Sequence, residues 1–402
     1  TYICARYRVA APTPGSTALE AVIDVHAWAG RALVEVVVEN SKIDAPASTT
    51  STKPAAATYN AATVSINGGA AIATVDSTSA VPGETGHNAF RAWYASGWVG
   101  GDPGLRVTQL HTDLQAHPLL WKMDQASTAD LTAYASDAYT PWTAGRHRAT
   151  NMSGGGDHPS IGPLPQWEAQ ALQTGDYRAW KAAEVSALAV LGFNVNYRDS
   201  TTGLVPTQAQ LEGKHQTSSG ANWPVQTNGS DALCWELAHH PAAGLMAFIG
   251  RPSPVFIEIA QKIAVYNGTW NCDPGGLTYG WDASAQGVTN MTGIFGASSQ
   301  LRGRAWGMRS LAHATFLTPD ALAWKAGGRV WLDKNRRFMN AWVTSASATL
   351  NMMWEEAPTA VFDHEGGISG IQQPLWMYHW LVAELCKIAS ARLLSGSDQT
   401  AM

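Results

Sequence analysis

The chain lacks charge, cysteine clusters and long apolar runs, and each absence removes a class of function. Only 14% of the 402 residues are charged, the net charge is −5, and no basic run is present. That argues against nucleic acid as a partner, because duplex and single-strand binding both rest on clustered Lys and Arg. No apolar run reaches the roughly 18 residues of a spanning helix, so no membrane span is expected. The four cysteines (Cys4, Cys234, Cys272, Cys386) are scattered with no CxxC. A zinc site is therefore not expected; Cys234 and Cys272 are either a loop-to-loop disulfide or buried thiols. There is no P-loop, GxGxxG or GxSxG, so nucleotide chemistry and serine hydrolysis have no support. No cofactor is implied.

What the sequence does hold is 45% apolar residues and 18 Trp. Ser, Thr and Gly are abundant and Lys is scarce, a composition that suggests an extracytoplasmic protein (secreted, periplasmic, or on a virion or cell surface) handling a polar ligand. The chain starts at Thr1 and runs directly into strand-like TYICARYRVA, so a mature or truncated product is expected.

The hydrophobic period divides the chain near residue 125. Before it, ALEAVIDVHAWA (18–29), RALVEVVVEN (31–40), FRAWYASGWV (90–99) and LLWKMD (119–124) read as strands. TVSING (63–68) and AAIATVDS (70–77) flank a Gly-Gly hairpin signal. After it, STADLTAYASDAY, QWEAQALQTGDYRAWKAAEVSALAVLGF, AGLMAFIGRPSPVFIEIAQKIAVYNGTW and three further segments carry apolar residues at helical spacing. The expected fold is multidomain β + α: an antiparallel β-sandwich or barrel over 1–125, then an α/α toroid over 126–402, an incomplete one.

The toroid reading rests on a repeat. QTGDYRAWKAAEVSALAV aligns with FIGRPSPVFIEIAQKIAV, matching Gly175 to Gly250 in the same apolar phase. Each hairpin follows a His-Pro loop, DHPS with Asp157 and His158, or HHPA with His239 and His240. Stacked helical hairpins of this kind close around an axis, with short turns on one rim and long polar loops on the other. The two His-Pro loops are expected on the same rim.

This layout resembles the multidomain polysaccharide lyases and toroid glycosidases, and is similar to exo-rhamnogalacturonan-lyase-like proteins in placing a β-domain before the toroid. The resemblance is architectural, covers most of the chain, and matches no diagnostic motif residue for residue. It implies a polysaccharide or oligosaccharide substrate and assigns no catalytic residue.

The candidate residues come from the loops themselves. β-Elimination on a uronate needs a base for the C5 proton, an acid for the leaving oxygen, and a cation for the carboxylate. His158 or His240 as base, Tyr197 as proton donor, Arg302 or Arg304 on the carboxylate, and Asp157 beside them have the required chemistry. Substrate contacts are expected from His239, Trp142, Trp167, Trp281, Arg146, Asp363 and His364. Hydrolysis would need two carboxylates instead, for which Asp157, Glu236, Glu355, Glu356, Asp363 and Glu365 are available. A bland reading stands beside each of these. Asp157 is equally suited to cap a helix, helical Trp are usually core, and a single helical Arg usually pairs with a carbonyl or a surface acid. A non-catalytic scaffold or glycan-binding surface protein is the third reading.

Overall fold

The computed structural model describes residues 2–10, 19–28, 30–43, 54–77, 81, 86–104, 110–125, 131–148, 160, 162–211, 232–237, 239–269, 301–343 and 375–393. Its β layer is a four-stranded antiparallel sheet in the order β1-β2-β3-β7, formed by β1 (Ile3–Ala10), β2 (Leu19–Trp28), β3 (Arg31–Asn40) and β7 (Ala92–Val99). Between β3 and β7 lie a two-residue strand β4 (Lys42–Ile43) and the hairpin β5 (Ala62–Ser65) and β6 (Ala71–Val75). The hairpin turns on Asn67 and Gly68, which both have positive φ (52° and 68°) as a type I′ turn demands.

The two faces of the sheet differ in kind. One face carries Leu19, Val36, Val38, Trp93 and Ala95, which pack with Ala57 and Val75 under the β5–β6 hairpin. The pairings Arg6↔Asp24, Asp24↔Glu35 and Glu39↔Glu20 put Arg6, Glu20, Asp24, His26, Glu35 and Glu39 together on the opposite face. All but Arg6 of these six are buried, with Glu39 at 0% exposure. Alternation of this type ordinarily marks a solvated face. Here the helical layer covers it.

That layer comprises α1 (His111–Ala116), α2 (Thr132–Ala135), α3 (Gln166–Thr174), α4 (Tyr177–Ala189), α5 (Gln208–Leu211), α6 (Leu245–Gly250), α7 (Pro254–Thr269), α8 (Leu301–Leu317), α9 (Ala323–Val343) and α10 (Leu375–Ser390). Helix α3 packs on α4, α6 on both α4 and α7, and α8 on α7, α9 and α10. A large apolar core runs through them, including Trp167, Trp180, Trp235, Phe256, Trp306 and Trp331. The two glycines matched in sequence do different work. Gly175 ends α3 in the left-handed region (φ 65°), whereas Gly250 is the last residue of α6 and lies against Trp180, where a Cβ would come within 3.3 Å of the ring.

Two segments depart from the sequence reading. Leu119–Asp124 is turn and irregular chain rather than a strand, with Leu119 and Leu120 buried among the helices. A short apolar run satisfies any buried conformation, so periodicity could not separate these outcomes. In addition, β8 (Arg198–Asp199) pairs in parallel with β4, tying the loop after α4 to the end of β3. No helix among the described residues is long and apolar enough to cross a membrane.

Candidate functional site

The loop Trp235–His240, leading into α6, is organised by backbone hydrogen bonds to buried side chains. Trp235 donates its N–H to Asn194 Oδ1 at 2.9 Å, and its carbonyl accepts from the Tyr266 hydroxyl at 2.6 Å. The Glu236 N–H donates to His240 Nδ1 at 2.9 Å, which leaves Nε2 as the protonated nitrogen, donating to the Arg148 carbonyl at 3.2 Å. The His240 ring stacks on Trp235 at 4.7 Å and meets Phe193 at 5.3 Å. Burial brings its pKa down to about 4, so it is neutral at ordinary pH. With both nitrogens engaged and 1% exposure, His240 staples residue 148 to residue 236 and has no lone pair to offer a substrate.

Its neighbour is placed otherwise. His239 Nδ1 is paired with Glu236 Oε2, and both side chains retain 15% exposure. The same carboxylate acts electrostatically on Arg302, in the first turn of α8. Burial lowers the Arg302 pKa, and the Glu236 charge acts against that shift. Glu236 thus pairs with a partly exposed imidazole and acts electrostatically on a largely buried guanidinium. A carboxylate on one ring nitrogen orients the imidazole, as a general base requires.

The remaining sequence candidates fall into three groups. Trp167 is 2% exposed and touches His147 edge-on at 5.4 Å, within the aromatic cluster around His240 and Trp235. Tyr197, also 2% exposed, lies between Phe90 and Tyr266, at 4.7 and 6.4 Å between ring centroids. Arg304 is buried on α8, two residues and so more than half a turn around from Arg302. Arg146 clamps Asp137 at 2.6 and 2.7 Å and stacks on Tyr134, bracing the loop after α2. Trp142, with φ 62°, packs edge-on against His87 at 5.0 Å between the two apolar cores. Asp157, His158, Trp281, Asp363 and His364 lie outside the described residues, as do Cys272, Glu355, Glu356 and Glu365.

Two buried polar centres were not singled out from sequence. At the first, Glu35 accepts from His26 Nε2, Tyr94 Oη and Arg251 Nη1, each at 2.7 Å, and from Ser253 Oγ. Burial opposes its charge, but Arg251 and these donors prevail and hold the carboxyl at about 2. Tyr2 donates to His26 Nδ1 at 2.7 Å, completing a phenol–imidazole–carboxylate chain beside Trp28. At the second, Arg198 bridges Glu39 and Glu258, Lys262 Nζ donates to Glu39 at 2.7 Å, and Arg6 joins Glu258 to Asp24. No sequence signal marks these contacts, because they join residues up to 252 positions apart.

Among the described residues no group of three or more His, Cys, Asp or Glu is arranged to hold a metal ion. Comparison with known proteins finds no matching family model, curated protein or solved structure.

Proposed function

We propose that the protein is a carbohydrate-active enzyme, a polysaccharide lyase that cleaves a uronate-containing glycan by β-elimination. The observation that carries this reading is the His239–Glu236 pair, whose carboxylate charge also acts on Arg302. His239 takes the base role in place of His240, whose nitrogens are both committed to backbone. In this reading the His239 imidazole takes the C5 proton and Glu236 stabilises the imidazolium. Arg302 neutralises the uronate carboxylate, which makes the C5 proton acidic enough to remove. The C4–O bond then breaks as the C4–C5 double bond forms, and the imidazolium returns the proton to the leaving oxygen. Tyr197 is not needed as donor, and its place between two aromatic rings does not favour that role.

The succession of packed hairpins α3–α4, α6–α7 and α8–α9 supports an α/α toroid as the scaffold. The composition supports an extracytoplasmic setting. The test is an ultraviolet assay on pectic, alginate-type and glucuronan polymers. Elimination yields an absorbing unsaturated uronate, which His239→Ala should reduce by roughly 10²-fold or more, the low end for loss of a general base. New reducing ends without absorbance would replace elimination by hydrolysis. No cleavage of any of these glycans would leave a glycan-binding scaffold.

A further inference from the structure

Helix α8 continues from Arg302 into a second cationic centre. Arg302, Trp306, Arg309 and His313 follow at i, i+4, i+7 and i+11, one stripe along the helix. Both guanidinium groups lie over the Trp306 ring, Arg302 at 5.7 Å and Arg309 at 5.4 Å, and Trp306 stacks on Trp380 of α10. Arg309 is 2% exposed. Its Nη1 donates to the Pro163 carbonyl ahead of α3. Its Nε and Nη2, the two nitrogens of the edge that grips a carboxylate side-on, are buried with no hydrogen-bond partner among the described residues.

Glu384, Glu168 and Lys387 each interact electrostatically with Arg309. From α10, Lys387 Nζ lies 3.4 Å over the Trp121 ring and 3.9 Å from Glu384 Oε1, again buried with no hydrogen-bond partner among the described residues. Glu384 accepts from Trp121 Nε1 at 3.1 Å. Glu168, in the first turn of α3, is buried, and burial lifts its carboxyl to about 8 against the pull of Arg309, so it is protonated at neutral pH. An unpaired buried guanidinium edge is costly, and folded proteins leave few such donors unmet.

We propose that Arg309 and Lys387 form a carboxylate-binding subsite between α3, α8 and α10, with the Arg309 edge as the bidentate clamp. The planar two-acceptor shape of a carboxylate matches the Nε/Nη2 edge, and protonated Glu168 can donate to the same ligand. A dianion such as phosphate fits less well, because Glu384 borders the site. The subsite does not depend on the elimination chemistry, since it requires a carboxylate and no bond cleavage.

The experiment is calorimetric titration of the full chain with acetate, D-galacturonate and the methyl ester of D-galacturonate. At least one of the two acids should bind and the ester should not; acetate alone would mark a site for free small acids, and galacturonate one for a uronate residue. Burial holds the Lys387 ammonium at about 7, so a bound carboxylate should draw a proton onto it at pH 8. The binding heat should then vary with buffer ionisation enthalpy more strongly in the wild type than in Lys387→Met, where Glu168 alone is left to take up a proton. Arg309→Gln should lose roughly tenfold or more in acid affinity, with far-UV circular dichroism unchanged. Arg146→Gln, at a brace outside both centres, should bind the acids as the wild type does. Equal response to acid and ester, no response to either acid, or undiminished acid binding in Arg309→Gln would each overturn the proposal. Should Arg309→Gln not fold, the acid-against-ester comparison and the Lys387→Met buffer dependence decide it.

Discussion

Replacing Arg198 by Met should be among the most damaging single changes in this chain, and the reason is countable. Arg198 is 1% exposed and donates to Glu258 at 2.8 and 3.2 Å, to Glu39, and to the Gly203 carbonyl at 2.8 Å. The network around it balances three cations (Arg6, Arg198, Lys262) against three carboxylates (Asp24, Glu39, Glu258). Losing Arg198 leaves Glu39 with Lys262 alone and Glu258 with Arg6 alone, one negative charge in excess at a buried interface. Breaking a buried pair from one side costs about 3–5 kcal/mol. Removing a charge of each sign, as in Arg198→Met with Glu258→Leu, keeps the Arg6–Asp24 and Lys262–Glu39 pairs and should recover at least half of that loss. Equilibrium urea unfolding measures both. A single-variant cost under about 1 kcal/mol, or a double variant as costly as the sum of the two singles, would refute the reasoning. The same carboxylates set an acid limit. Burial works against their charge, but Arg198 and Lys262 bring Glu39 from 4.5 to about 2, and Glu258 is held low by Arg198 and Arg6. Folded pKa values below the unfolded ones mean that their stabilisation is complete above about pH 4.5 and is lost as pH falls towards 2. Acid unfolding should therefore fall in that window.

His240→Ala should lower stability by about 1–3 kcal/mol, because it strands the Glu236 N–H and the Arg148 carbonyl, and thermal melting would show it. Any activity retained after correction for the folded fraction would confirm a structural role, in contrast to His239→Ala. Gly268→Ala should cost at least about 1–3 kcal/mol, since the added Cβ would come within 2.1 Å of the Trp331 ring and force α7 away from α9. A melting temperature equal to the wild type would show that the two helices do not approach this closely.

Much of the secondary structure could be read from local pattern. β2, β3 and β7 alternate or carry β-branched residues, and the β5–β6 turn has its Asn-Gly pair, so neighbours within a few positions decide the outcome. In QWEAQALQTGDYRAW the helix break is equally local, since Gly175 alone supplies the left-handed residue that ends α3 and Asp176 caps α4 by accepting from the Arg178 N–H. Leu119–Asp124 was misread because its apolar residues have neither period, and β8 was unreadable because two residues pair with a strand more than 150 positions earlier. The candidate site was legible only as an inventory. WELAHH supplies a carboxylate and two imidazoles, but nothing in it tells which histidine turns inward. That choice is made by the Arg148 carbonyl, 92 positions before His240, which captures one ring and leaves the other to Glu236.

The sheet raises the same problem on a larger scale. In LEAVIDVHAW and RALVEVVVEN the acids recur on one face, and period alone assigns that face to water. Water is the right answer only if no other element supplies counter-charges, and here α7 supplies Lys262 while β8 and the α6–α7 turn supply Arg198 and Arg251. A helix docked through ion pairs differs from one docked through apolar packing in a way that bears on the candidate site. Each carboxylate fixes its cation to within hydrogen-bond tolerance, so α7 is held in register along β3 at both Glu35 and Glu39, a constraint that interchangeable apolar contacts do not impose. The Trp235–His240 loop is tied to α7 through Tyr266 and Asn267, which meet the Trp235 carbonyl at 2.6 Å and the Trp235 indole N–H at 3.3 Å. The register set at the sheet thereby reaches the loop that carries Glu236 and His239. If this transmission holds, Lys262→Met should disturb the His239–Glu236 pair even though Lys262 touches neither residue. The readout is the His239 titration followed by NMR in the wild type and in Lys262→Met, with Arg146→Gln as a control at a brace outside the ion network. A His239 titration shifted in Lys262→Met and unmoved in the control is the expected result. An unshifted His239 in a folded Lys262→Met protein would show that the loop keeps its geometry without the sheet, and that the buried charges serve stability alone.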